Sequence, residues 1–141
     1  TNPNSVVTSI DLGYWYYCKF GIKYLEKKFP DRFQIILKDS LEALNNFKII
    51  SQGTIFDFIY IDGNHSYEYA YNDILNCKKF SNESTIIVVD DVVEDDNFRT
   101  NSNTGPTKAW KTLVSQGKLI ELDCAHFEDI NRGVAVGKFI I

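Results

Sequence analysis

The sequence predicts an α/β layer fold built on a largely parallel sheet, and three observations predict it. Short β-branched runs alternate with segments whose apolar residues recur every three or four positions. Two of those runs, 56–61 and 85–89, are nearly continuous in apolar residues, as strands covered on both faces are. Both end in acids, at Asp62 and at Asp90–Asp91, on the edge where open α/β sheets place their ligands. The alternation breaks only at the end. The last two strand-like runs are separated by about eleven residues, Asp123 to Gly133, which is short for a helical crossover, so the final strand is expected to run antiparallel.

Each element has its own signal. Val6 to Asp11 is β-prone and ends in an acid before Leu12-Gly13. Trp15, Cys18, Ile22, Leu25 and Phe29 then mark one face of a helix that stops before Pro30. Arg32 to Leu37 forms the second strand, and Ser40 is expected to cap a short helix carrying Leu41, Leu44 and Phe47. Phe56 to Ile61 is expected to be a central strand, with Phe58 and Tyr60 facing one helical layer and Ile59 and Ile61 the other. Ser66 caps the next helix, whose inward positions are Ala70, Ile74, Cys77 and Phe80. After the strand ending at Asp90, Glu94 to Gly105 is polar and reads as a mobile lid. Pro106 at the first helical position and Gly117 beyond the end bracket the last helix, with Ala109, Trp110, Leu113 and Val114 inward. Leu119–Leu122 and Gly133–Ile141 are the closing strands.

The chain has 141 residues, enough for one domain with a core of its own, and its 44% hydrophobic and 24% charged residues give no sign of disorder. A net charge of −4 argues against nucleic acid or an anionic membrane as the main partner and favours a ligand that is small or bound through a cation. Three separated cysteines, Cys18, Cys77 and Cys124, fit neither a zinc site nor a disulfide framework, and point to a reducing, cytoplasmic setting. The chain opens on Thr1 rather than Met, the expectation being a fragment or a processed form.

The acidic strand ends carry the chemistry. Adjacent strands lie about 4.8 Å apart, so Asp62, Asp90 and Asp91 would converge if their strands are neighbours. Such carboxylates either raise one another's pKa or recruit a hard cation, magnesium or calcium. Each acid could instead simply end a strand or start a turn. His65 could be a general base, a metal ligand or a helix-cap residue. Asp11, at a strand end before Gly13, could accept hydrogen bonds from a ribose diol or serve as a turn acid.

Three stretches carry a family resemblance: FDFIYIDGNHSYEYAYNDI, IIVVDDV one helix later, and FQIILKDSLEAL one element earlier. Together they resemble the class I S-adenosylmethionine-dependent methyltransferases, and are similar to the branch with Asp-Gly-x-His-Ser-Tyr after its fourth strand. This likeness, which runs from Ser5 through nearly the whole chain, implies a three-layer Rossmann-like methyltransferase sheet. It implies that S-adenosylmethionine is the cofactor, with Asp11 on the ribose, Asp39 and Ser40 near the adenine, and Asp62 also at the cofactor. By similarity to catechol O-methyltransferase-type enzymes, Asp62, Asp90 and Asp91 are implied as ligands of Mg2+; the oxygen ligands themselves leave Ca2+ as the other candidate, and Asp62 and His65 are the residues expected to be catalytic. The reaction implied is metal-assisted O-methylation of a small molecule or sugar.

In one respect the sequence departs from that pattern. The family has a Gly-rich turn after its first strand, and no G-x-G occurs near the amino end here. If Val6 to Asp11 is the family's second strand, the first strand and that turn are missing and the sheet is amino-terminally truncated: a preceding segment or a second copy in a homodimer could complete it, or the sheet closes without it. Reading Val6 to Gly13 as a degraded first strand instead leaves too few strands before Phe56. Two rival functions follow: a methyltransferase-like binding or assembly module without catalysis, and a metal-dependent hydrolase using the same carboxylates on bound water.

Overall fold

The computed structural model describes residues 4–46, 49–127 and 132–141. Its contacts divide the chain into two compact units, Thr1–Ile50 and Ser51–Ile141.

In the first unit, strand β1 (Val7–Asp11) pairs in parallel with β2 (Phe33–Leu37), from Val7 opposite Phe33 to Asp11 opposite Leu37. Helix α1 (Cys18–Lys28) makes the crossover that a parallel pair requires. It begins three residues later than the periodicity predicts. Trp15 falls in the preceding turn and is 65% exposed, while Cys18, Ile22, Leu25 and Phe29 form the partly buried face. Among the described residues no side chain caps this helix, so nothing local extends it back through the bulky Tyr14–Tyr17 cluster. The short α2 (Ser40–Leu44) is capped by Asp39, whose Oδ1 accepts the Leu41 N–H at 2.9 Å. Asp39, in extended backbone, displaces Ser40 from the expected cap position. Leu44 and Ala43 are buried, and Phe47 lies outside the described residues.

The second unit holds β3 (Phe58–Ile61), α3 (Tyr67–Cys77), β4 (Ile86–Asp90), α4 (Thr104–Ser115), β5 (Leu119–Phe127) and β6 (Arg132–Phe139). The sheet order is β3-β4-β6-β5. β3 and β4 are parallel, and β6 runs antiparallel to both of its neighbours, so the antiparallel last strand is borne out. β5 reaches Phe127, five residues past the predicted end, by absorbing an irregularity between Glu121 and Asp123.

Two expectations about faces and ends are corrected. β3 is the edge of this four-stranded sheet, and Phe58 and Tyr60 are 58% and 53% exposed instead of lying under helices. The apolar run records only that Ile59 and Ile61 are partly buried and that the strand is β-prone. Pro106 is the third residue of α4, after the Asn103 cap, where its missing N–H is still tolerated. Gly117 does follow the helix end, at φ +66°.

The core of this unit follows the predicted periodicity. Ala70, Ile74, Cys77 and Phe80 are buried on one side, and Ala109, Trp110 and Leu113 on the other, where α3 packs against α4. Ile87 and Val89 of β4 and Ala135 and Phe139 of β6 complete it. The 94–105 stretch is anchored rather than bare. Lys111 Nζ donates to the Glu94 carbonyl at 2.8 Å, the Phe98 ring meets His126 at 4.1 Å, and buried Asn103 donates to the Phe98 carbonyl at 3.0 Å.

Candidate metal centre at the β3 and β4 ends

The register places Ile61 beside Val89, so the residues after β3 and at the end of β4 leave the sheet together. Asp62 is the first residue after β3. Asn64 then turns the chain, its Oδ1 accepting the Ser66 N–H at 2.8 Å, and Ser66 caps α3 by accepting the Tyr69 N–H at 3.4 Å. Because Ser66 performs the capping, the His65 ring is left facing the strand ends. Its Nε2 lies 3.6 Å from Asp62 Oδ1 and 3.4 Å from Asp91 Oδ2. The start of α4 closes this turn from outside: a Cβ at Gly105 would stand 2.1 Å from the His65 carbonyl oxygen, so only glycine permits the approach.

Asp91 is the buried member, 1% exposed, with left-handed backbone at φ +56°. Asp and Asn adopt that conformation more readily than other non-glycine residues, yet it still costs energy and marks functional sites. Its neighbours enforce it: Val92 N–H donates to the Gly133 carbonyl at 3.1 Å, and Val93 N–H to Thr107 Oγ1 at 3.1 Å. Asp91 Oδ2 accepts from Arg132 Nη1 at 3.2 Å, whereas Oδ1 is buried with no hydrogen-bond donor among the described residues. Burial pushes this carboxyl up from its ordinary pKa; the Arg132 and His65 charges pull it down, and Asp90 and Asp62 push it further up.

One ligand atom from each of Asp62, His65 and Asp91 lies within 4.8 Å of the others. The expected trio is Asp62, Asp90 and Asp91, so the structure brings two of the three together and adds His65. Asp90 is still within β4, where successive side chains alternate faces, and the kink at Asp91 turns only the following residue inward. Asp90 lines the same hollow as Asp62, Asn64, His65 and Pro106, and its carboxylate is near enough to Tyr60 to act on that hydroxyl's ionisation. Partial burial, then the charges of Asp90 and Asp62, raise the Tyr60 pKa above its usual value.

The residues fit a divalent cation. A buried carboxylate oxygen without a donor among the described residues, held in strained backbone beside a second carboxylate and an imidazole, is a donor set that suits such an ion. The imidazole widens the choice from magnesium and calcium toward manganese and other first-row ions. Arg132 and Tyr60 are the site residues that the sequence does not disclose. Arg132 is 41 positions from Asp91, and no local pattern links them. Tyr60 is legible as a strand residue only.

The residues expected at the cofactor lie in the first unit, Asp62 excepted. Asp11 Oδ1 accepts the Gly13 N–H at 2.5 Å, and Gly13 has φ +68°. This is the turn geometry, and the exposed carboxylate keeps its other oxygen for a further donor. Asp39 spends Oδ1 on the α2 cap, and Ser40 is the first residue of that helix.

Known proteins resemble this chain in sequence family and in fold. A family model described as a methyltransferase domain matches residues 3–92. No curated protein matches the sequence. An O-methyltransferase from Bacillus cereus, solved in complex with SAH, is similar in structure with a TM-score of 0.72 at 14% identity, over 94% of this chain and 62% of that one. CalS11, a TDP-rhamnose 3'-O-methyltransferase of calicheamicin biosynthesis, gives a TM-score of 0.67 at 14% identity, over 99% of this chain and 60% of that one. The Methanococcus jannaschii fibrillarin pre-rRNA processing protein gives 0.61 at 18% identity, over 95% and 56%. At such identities the likeness shows the fold, and this chain spans less than two thirds of the length of each of the three. With most of its length matched by the family model, the chain belongs to the methyltransferase-domain family and has the Rossmann-like fold of the S-adenosylmethionine-dependent enzymes.

Proposed function

We propose that this protein is an S-adenosylmethionine-dependent O-methyltransferase whose Asp62–His65–Asp91 cluster holds a divalent cation against the acceptor. The observation that carries this reading is the cluster itself, with all three ligand atoms within 4.8 Å and the buried Asp91 Oδ1 lacking a donor among the described residues. The cation, when bound, supplies Lewis acidity that lowers the pKa of an acceptor hydroxyl. This chain's own residues do the remainder. Asp62 and Asp91 would supply carboxylate oxygens and His65 a ring nitrogen to that ion, and only without an ion would the His65 nitrogen be open to take a hydroxyl proton. The Gly105 contact fixes the His65 backbone, so that the ring need not be organised at each turnover. On the cofactor side, Asp11 is suited to a ribose diol and the α2 start at Asp39–Ser40 to the base. A small molecule or sugar is the acceptor we favour, since the similar CalS11 is a TDP-rhamnose 3'-O-methyltransferase and the exposed acidic hollow disfavours a polyanion.

The test is titration calorimetry with S-adenosylmethionine and S-adenosylhomocysteine. It is followed by radiolabelled methyl transfer to catechol-type diols and deoxysugar nucleotides, with Mn2+, Mg2+ or EDTA. Cofactor binding with metal-dependent transfer is expected. Binding of neither cofactor would leave the rival reading, a methyltransferase-like module without catalysis. Transfer unaffected by EDTA would remove the metal and leave His65 as base.

A further inference from the structure

Arg132 opens β6 and is half exposed, yet its Nη1 sits 3.2 Å from the Oδ2 of an aspartate whose side chain is 2% exposed. His65 Nε2 approaches that same oxygen at 3.4 Å. A charge as buried as that of Asp91 needs a counter-charge, and of these two neighbours only the guanidinium is cationic at every working pH. A divalent cation on the cluster would bind carboxylate oxygen at about 2.0–2.6 Å and so would stand in direct conflict with a guanidinium on the same atom. Arg132 is free to yield, because half of its side chain is already in solvent.

We propose that Arg132 is the built-in counter-ion of Asp91 and that it competes with the divalent cation for that carboxylate, so that loading the site releases Arg132 into solvent. This rests on the metal reading of the cluster and adds to it a residue that sets the affinity and keeps the unloaded site folded. Asp91 Oδ1 offers the cation a way around Arg132, and the experiment decides between the two oxygens.

The purified protein and its Arg132→Gln and Arg132→Lys variants are titrated with Mn2+ by calorimetry and by the loss of the free-ion paramagnetic resonance signal. Thermal unfolding in EDTA is followed in parallel. Arg132→Gln is expected to bind Mn2+ on the order of tenfold more tightly, because a positive charge has left the site. Arg132→Lys should stay near the parent. In EDTA, Arg132→Gln should melt at lower temperature in the parent background but not on top of Asp91→Asn, which locates the effect in this pair. Equal Mn2+ affinity in the parent and in Arg132→Gln would overturn the competition and leave the metal reading standing. Lack of Mn2+ binding by both would overturn the competition and the metal reading together, and the unfolding cycle would still report the pairing. A cycle showing equal losses in both backgrounds would overturn the counter-ion role.

Discussion

Asp91 is an acid in left-handed backbone, 1% exposed, whose pKa is raised chiefly by burial. Such a group binds protons more tightly folded than unfolded, so without metal its contribution to stability is greatest below the unfolded value of about 3.9 and is lost as pH rises through the folded value. Asp91→Asn should therefore flatten the metal-free stability-pH curve across that interval and raise the stability at neutral pH. The amide keeps the tolerance for positive φ. Chemical denaturation in EDTA at a series of pH values checks this, and an unchanged curve would contradict it. The thiols offer a second residue-scale prediction: burial pushes Cys77 up to about 12 and Cys124 up to about 11. At neutral pH, alkylation of the folded protein should label Cys18 first and Cys77 last, read by peptide mass mapping. Asp62 and Asp91 are legible as site residues because an acid ending an apolar run is a local signal. Arg132 is not legible, since it meets the site through a contact across 41 residues, and no periodicity records such a pair.

At the scale of elements, packing follows the sequence where one helical face is buried, and departs from it where only backbone contact decides. The inward positions of α3 and α4 match the periodicity because both helices bury a single stripe. The start of α1, the cap of α2 and the first turn of α4 differ from it, as each turns on the presence or absence of a cap or on a close approach that apolar periodicity does not encode. An apolar run is the same signal whether one face or two are covered, which is why the edge strand β3 reads as central. The Gly105 contact gives the element-scale test. Gly105→Ala places a methyl group 2.1 Å from the His65 carbonyl oxygen, so α4 or the β3–α3 turn must shift. A loss of about 1–3 kcal/mol is expected, as for other forced overpacking, with a weakened thermal response to Mn2+. Trp110→Ala, by contrast, empties the α4 face of the core and should cost about 3–5 kcal/mol while leaving the cluster's ligands in place. Paired denaturation and metal-shift measurements on both variants separate site geometry from core packing.

For the whole molecule, the division at Ser51 places every residue of the proposed metal centre in one unit. Asp62, His65 and Asp91, with Arg132 as counter-ion, all belong to Ser51–Ile141, as do Trp110, Phe80, Ile74, Ile87 and Leu113, the larger buried aliphatic and aromatic side chains among the described residues. The four-stranded sheet with α3 and α4 thus has a core and a hydrogen-bonded register that do not draw on β1 or β2. A piece comprising residues 51–141 should therefore unfold cooperatively by itself, and should keep the Mn2+-induced rise in melting temperature, since binding to the folded state alone stabilises by mass action. Its weakness is the β3 edge, where Phe58 and Tyr60 are exposed beside an unpaired row of backbone groups, so association at high concentration is expected and should be followed by light scattering. If the piece is unfolded at every concentration, the metal centre depends on the first unit for its support. If it folds but loses the metal response while the full chain keeps it, a ligand outside Asp62, His65 and Asp91 completes the site, and the search for it narrows to residues 1–50.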